Sequence, residues 1–250
     1  MRVLCIDTST TDLVTGLVDI DSAQPGDAAP TQPSAVQDAT VKDTRAHNEL
    51  LMPTIDKLLG GDYSQLDAVV AGCGPGPFTG LRVGMATASA LAQARGIPVY
   101  GLCSHDAIAV VAAAQGGGAN TSGATEGTHT SGAAETGEFV VATDARRKEI
   151  YYSVYRGAER VSGPDVARPE DVDFPDTVTA VYIPAALGER LPEKWHPAVR
   201  PALNPRPAAL AAAVDFSAQP EPLVPLYLRR PDAKEPAPKP RSAAIPEVEL

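Results

Sequence analysis

Val69-Val70-Ala71-Gly72-Cys73-Gly74-Pro75-Gly76-Pro77-Phe78-Thr79-Gly80-Leu81-Arg82-Val83-Gly84 decides how the rest of this chain is read. Its opening apolar run has the composition of a short buried strand. Alternating Gly and Pro then break the run, and Met85 to Arg95 follows, rich in Ala and free of Pro, with the composition of a helix. The order is strand, turn, helix. Glycine lets the turn take positive φ or approach another group closely. Pro75 and Pro77 stiffen it and lack N–H donors, and Thr79 is placed to cap the helix. A helix N-terminus suits an anion, but the run has no Gly-Lys-Ser/Thr ending. Gly74-x-Gly76 also lacks the third glycine of a dinucleotide fingerprint. A tight structural turn and an anion cradle both stay open.

The helix carries two rows of small residues at spacing four. Gly80, Gly84, Ala88 and Ala92 form one, and Ala86, Ala90 and Ala94 the other. Small residues let a second helix come close. Either row can pack within the domain, and a helix with two such faces can serve the core with one and a partner chain with the other.

Working outward, Arg2 to Ile6 reads as a strand, Asp7 to Thr11 as a polar turn and Leu13 to Ile20 as a second strand. Asp21 to Asp38 lacks periodicity and reads as a long loop, with a third strand at Ala39 to Asp43. A helix over Ala46–Leu59 places Leu51, Ile55, Leu58 and Leu59 on one stripe with His47, and Gly60-Gly61 stops it. Pro53 should kink that helix or move its start later. Leu66 to Gly72 and Ile97 to Leu102 are strands, and Ser104 can cap a helix reaching Ala114. The order β-β-β-α-β-α-β-α predicts an α/β domain with a mixed sheet.

Gln115 to Gly137 is Gly, Ala, Ser and Thr with little to bury and marks a boundary. Glu138 to Asp144, a turn at Asp144 to Lys148 and a strand at Glu149 to Tyr155 then repeat the opening hairpin. Val178 to Ile183 reads as a strand, Pro207 to Phe216 as a short helix and Leu223 to Leu228 as an extended segment. The expected division is a subdomain over 1–114, an insert over 115–137, a reduced subdomain over 138–229 and a tail over 230–250.

The chain has 250 residues and a formal net charge of −10. An acidic chain is a poor stand-alone nucleic-acid binder, because phosphate contacts need clustered Lys and Arg. If RNA is involved, a partner holds it. No run is long enough to span a bilayer, and Met1 to Asp7 enters a strand at once instead of a signal peptide. The cytosol is the expected compartment. Cys5, Cys73 and Cys103 show no CxxC spacing and read as small buried hydrophobes.

Candidate chemistry is sparse. Asp7-Thr8-Ser9 after a strand suits either a metal-bound nucleotide or a hairpin turn that bonds its own backbone. His47 has Leu51, not a second His, one turn on, so a helical metal pair is missing. Ser104-His105-Asp106 has the letters of a triad, but consecutive residues diverge where a triad converges. Arg146-Arg147-Lys148 is a small basic turn that reads as a solvated loop.

The chain resembles the TsaB (YeaZ) family, relatives of the TsaD proteins in the ASKHA (actin-like ATPase) superfamily. The resemblance rests on Leu4 to Ser9, Arg45-Ala46-His47-x-x-Leu50-Leu51, Gly74 to Gly84, Asp144-Ala145-Arg146 and Pro225 to Arg229. It implies an ASKHA fold and a part in making threonylcarbamoyladenosine in tRNA, as the non-catalytic subunit that pairs with and activates a TsaD-like catalytic homologue. A TsaE-like ATPase would join them, tRNA would be met only through the complex, and the chain could pair with itself when alone. The implied interface is the first two helices, at His47, Leu51, Ile55, Gly80, Gly84, Met85, Ala88 and Ala92. No cofactor is implied for this chain itself, though ATP or ADP could sit at the complex junction. The alternative is an ASKHA-type ATPase or carbamoyl-transfer enzyme that uses Asp7, Thr8, Ser9 and the hinge for nucleotide. A peptidase lacks both metal pair and triad.

Overall fold

The computed structural model describes residues 1–21, 33–116 and 137–229. β1 (Arg2–Asp7), β2 (Val14–Ile20) and β3 (Pro33–Asp38) form an antiparallel meander, and β4 (Ala68–Gly72) and β5 (Val99–Leu102) add to β1 in parallel. The sheet order is β3-β2-β1-β4-β5. Parallel neighbours need crossovers. α1 (His47–Leu59) makes the first and α2 (Phe78–Arg95) the second. Both helices end on a left-handed glycine, Gly60 at φ 60° and Gly96 at φ 66°.

After α3 (Ser104–Ala114), a second sheet repeats the plan. β6 (Glu138–Asp144), β7 (Ile150–Arg156) and β8 (Glu159–Ala167) form the meander, and β9 (Val178–Ile183) and β10 (Val199–Pro201) extend it in parallel, in the order β10-β9-β6-β7-β8. The echo of the opening hairpin at Glu138 to Tyr155 is therefore a repeat of topology as well as of pattern. The crossovers have shrunk to a 3-10 turn at Pro169–Asp171 and to α4 (Ala185–Gly188) with a 3-10 turn at Glu193–Ala198. The last helix, α5 (Pro207–Ala212), returns to the first sheet.

The first sheet is buried on both faces, and β1 is accordingly a near-continuous buried run. Leu4 and Ile6 pack with Leu51, Ile55, Ala88 and Ala92 of α1 and α2. Val3 and Cys5 pack with Ala107 of α3 and Ala209 and Leu210 of α5. α3 lies between the sheets: its Ile108, Ala109 and Ala112 meet Phe139, Val141 and Tyr155 of the second. Phe174 and Trp195 cover that sheet's far face.

Several local expectations are corrected. The third strand is Pro33–Asp38, inside the stretch read as loop, and Ala39 to Asp43 keeps only a bridge between Val41 and Leu13. β3 is an edge strand exposed over Ala35 to Asp38, so it has no buried alternation to detect. Pro53 neither ends nor delays α1. It is exposed, as is Glu49 one turn earlier, whose carbonyl loses its partner on the solvent side, where water can replace it. Thr79 and Ser104 are inside their helices and do not cap them; Pro77 and Cys103 occupy the cap positions. The helix read at Pro207 to Phe216 stops at Ala212. The insert read at 115–137 and the tail at 230–250 lie, apart from 115, 116 and 137, outside the described residues, as does 22–32 of the first loop. Among the described residues no helix is long and apolar enough to cross a membrane.

Candidate functional site

Asp7, Thr8 and Ser9 form the β1–β2 turn and are 0%, 1% and 4% exposed. Their cover is the hinge and the start of α2. Thr8 Oγ1 donates to the Gly80 carbonyl at 2.7 Å. A Cβ on Gly80 would stand 2.5 Å from the Thr8 carbonyl oxygen, and one on Gly84 would collide with Thr8 Oγ1. These two glycines are therefore explained by close approach of the chain to itself. The row Gly80, Gly84, Ala88 and Ala92 holds the turn and the core: Ala88 and Ala92 are 0% and 2% exposed. The volume in front of the hinge, where a phosphate would lie against a helix N-terminus, holds the chain's own backbone.

Asp7 Oδ1 accepts from Ser9 N at 2.8 Å and Ser9 Oγ at 2.6 Å, which makes the turn self-bonded. Among the described residues Asp7 Oδ2 has no hydrogen-bond partner, and it is buried. Burial holds this carboxyl above its ordinary range, against the opposing pull of the nearby Ser104 and Ser9 hydroxyls, the Ser9 N–H and His47. His47 opens α1, and its Nε2 is also buried, with no hydrogen-bond partner among the described residues. Leu51, where a second ligand would stand, is 1% exposed in the core.

The residues expected at an interface therefore divide. Leu51, Ile55, Met85, Gly84, Ala88 and Ala92 are buried within this chain, His47 and Gly80 are half-buried, and Gly80 faces Thr8. Burying Leu51 and Ile55 in the core is worth roughly 1.5–3 kcal/mol each, so neither is free to serve a partner. The second small row is the solvent face: Ala86, Ala90 and Ala94 are exposed, and on α1 Met52 is 41% exposed.

α3 contributes a different polar cluster. Ser104 Oγ accepts from Gly74 N at 3.1 Å. His105 is fully buried, with Nδ1 2.9 Å from Ser153 Oγ and Nε2 2.9 Å from Thr143 Oγ1. Burial, with Arg160 adding to it, lowers its pKa to about 3, so the ring is neutral and pins α3 to β6 and β7. Asp106 accepts from Tyr155 OH at 2.8 Å. Three consecutive residues with separate partners are a seam between the sheets and not a triad. The three cysteines are buried, and burial raises each thiol.

Sequence reasoning missed how Leu223 to Arg229 crosses the hinge. Leu226 N donates to the Cys73 carbonyl at 2.9 Å. Tyr227 stacks on Phe78 with ring centroids 4.2 Å apart, and its hydroxyl accepts from Arg82 Nε at 3.0 Å. Arg229 pairs with Glu149 of the β6–β7 turn. A cleft between the sheets, of about 90 Å³, is lined by Ser9, Thr10, Thr11, Thr143, Arg146 and Asn204 among others. Ligand pockets for whole nucleotides run to several hundred Å³. Arg146, which lines it, and the following Arg147 and Lys148 have φ of 63°, 54° and 65°, a conformation that costs residues other than glycine about 1–2 kcal/mol each.

A family model described as TsaD, tRNA N6-adenosine threonylcarbamoyltransferase, matches residues 41–219. An uncharacterized protein of Mycobacterium leprae is 43% identical over 236 residues, which are 93% of this chain and 56% of that protein. The chain thus spans little more than half the length of that relative. The tRNA threonylcarbamoyladenosine biosynthesis protein TsaB of Haemophilus influenzae is 33% identical over 112 residues, 44% of this chain and 40% of that one. Among solved structures, YeaZ from Pseudomonas aeruginosa superposes with a TM-score of 0.66 over 91% of this chain and 99% of its own, at 24% identity. That likeness concerns the fold, which is the actin-like ASKHA fold with its two related sheets.

Proposed function

This chain belongs to the TsaD family, and from that premise we propose that it is the non-catalytic pairing subunit of the machinery that makes threonylcarbamoyladenosine in tRNA. It takes the place of the TsaB proteins it is similar to and activates a TsaD-like catalytic homologue by docking against it. The observation that carries this reading is the sealed β1–β2 turn. In an ATPase of this fold the turn and the hinge would face a nucleotide; here Asp7 and Thr8 are 0% and 1% exposed beneath α2. A phosphate could reach them only if α2 moved away from Thr8, breaking the hydrogen bond to Gly80.

The pairing surface is the solvent face of α2 along Ala86, Ala90 and Ala94, with the outer side of α1 around Met52. Small side chains there would let a facing helix approach closely. Buried Leu51, Ile55, Gly84 and Ala88 support that surface from below and do not touch the partner. A TsaE-like ATPase joins the pair, the chain pairs with itself when the homologue is absent, and ATP or ADP belongs to the junction between subunits. The competing reading, an enzyme using Asp7 for nucleotide, needs an opening onto Asp7, which lines neither the cleft of about 90 Å³ nor the larger cavity of about 530 Å³ beside Cys73.

The test is depletion of the chain in cells, with tRNA nucleosides weighed by mass spectrometry. Threonylcarbamoyladenosine should fall, and the purified chain alone should form none from ATP, threonine, bicarbonate and tRNA. Undiminished modification without the chain, or formation of the nucleoside by the chain alone, overturns the reading.

A further inference from the structure

The β6–β7 turn has a composition its backbone does not ask for. Arg146, Arg147 and Lys148 are successive left-handed residues. Gly and Asn occupy such positions at least cost, yet all three places hold cations. The turn is held open from several sides. Glu149 N donates to the Arg146 carbonyl at 3.0 Å, and Asp144 Oδ1 accepts from Arg146 N at 2.7 Å. Two more guanidinium groups bind its carbonyls: Arg190 Nη1 donates to Lys148 O at 3.2 Å and Arg229 Nη2 to Arg146 O at 3.4 Å.

Among the described residues, five cationic residues thus meet at one turn, beside the carboxylates of Asp144, Glu149 and Glu170. They gather on a chain whose net charge is −10. Arg146, Arg147 and Lys148 are exposed, and the Arg146 side chain is 57% exposed. Arg146 also lines the cleft that holds Ser9, Thr10, Thr11 and Asn204. The Arg146 guanidinium with hydroxyl and amide groups along that cleft, and the exposed Arg147 and Lys148 beside Arg146 in the chain, are donors of the kind that phosphate oxygens accept from.

We propose that the Arg146-Arg147-Lys148 turn is a contact surface for the phosphate backbone of RNA. The identity of the polyanion rests on the reading of the chain as part of a tRNA-modifying assembly. The turn then adds to whatever RNA surface the catalytic homologue supplies, and the cost of three left-handed cations is explained by what they bind. Backbone contacts of this kind position RNA without reading its sequence.

The triple variant Arg146→Asn, Arg147→Asn, Lys148→Asn removes the charge and keeps a residue type suited to left-handed backbone. The full chain, purified with its catalytic homologue, is titrated with a tRNA transcript at about 50 mM and about 200 mM salt. Three phosphate contacts account for a weakening of roughly 20- to 40-fold between those concentrations. The variant should bind at least tenfold more weakly at the lower salt, lose most of that salt dependence and still co-purify with the homologue. Unchanged affinity and unchanged salt dependence overturn the proposal. So does competition by polyglutamate as effective as that by unlabelled transcript at equal charge, which would assign the turn to an acidic protein. If the wild-type chain co-purifies with no homologue, the reading above has failed separately. The same titration on the chain alone then decides: loss of binding in the variant keeps the turn as an RNA contact, and no binding by the wild type overturns it.

Discussion

Replacing Gly84 with Ala tests whether the small-residue row faces its own chain. The new Cβ would collide with Thr8 Oγ1, the group that donates to the Gly80 carbonyl at 2.7 Å. Overpacking of this kind costs about 1–3 kcal/mol, and loss of the hydrogen bond adds about 1 kcal/mol. Against this, Ala in a helix is favoured over Gly by about 1 kcal/mol. The collision wins, and a net loss of about 1–3 kcal/mol is expected. That is roughly 2–12 °C in Tm for a chain of this size. Urea and thermal unfolding measure it, with Ala86→Leu on the exposed row as the control, expected within about 0.5 kcal/mol of wild type. If Gly84→Ala instead stabilises the isolated chain, helix propensity is acting alone. The Thr8 turn would then not be packed on α2, and the argument for a sealed site would fail.

Two further outcomes concern buried ionisable groups. His105 has a folded-state pKa of about 3 against about 6.5 unfolded. The folded state therefore binds fewer protons, and stability falls as pH drops from about 6.5 towards 3, by up to about 1.4 kcal/mol per pH unit. His105→Gln should flatten that acid limb in urea titrations between about pH 7 and pH 4.5, and an unchanged limb would mean the ring is not buried neutral. Asp7 has the opposite sense. Its carboxyl is raised by burial, so ionisation costs folding free energy as pH rises above the ordinary carboxylate range. Asp7→Asn should be more stable than wild type at neutral pH, with the gap closing in acid. A variant less stable at neutral pH would show that the charge is needed.

What the residues disclosed depended on how local their roles are. Leu51, Ile55 and the stop at Gly60 carry a helical period and a cap, and α1 was legible from them. β1, β4 and β6 are buried runs bounded by turn residues, and they too were legible. β8 was not: from Glu159 to Gly163 every residue is exposed, so an edge strand left no alternation to read. Nor was the crossing of Leu223 to Arg229 over the hinge, whose contacts join positions as distant as Tyr227 and Arg82. The small-residue rows were visible, but Gly84 and Ala90 look alike in sequence because close packing asks for the same residues in a core and at an interface. Only tertiary contact separates the row against Thr8 from the row in solvent. The Asp7 turn was ambiguous for the same reason: its hydrogen bonds to Ser9 are local, while its burial comes from α2.

The central claim is that this chain acts through surface it presents on α2. The most direct test is the dissociation constant between the purified chain and its purified TsaD-like homologue, measured by calorimetry for wild type and for Ala90→Arg. A long charged side chain at an exposed position should leave the unfolding midpoint of the isolated chain within about 0.5 kcal/mol of wild type. At a close helix–helix contact the same change should weaken pairing by at least a hundredfold, since an unpaired charge buried at an interface costs several kcal/mol. Equal dissociation constants for the two proteins would contradict the claim, because the partner would then be meeting some other part of the molecule.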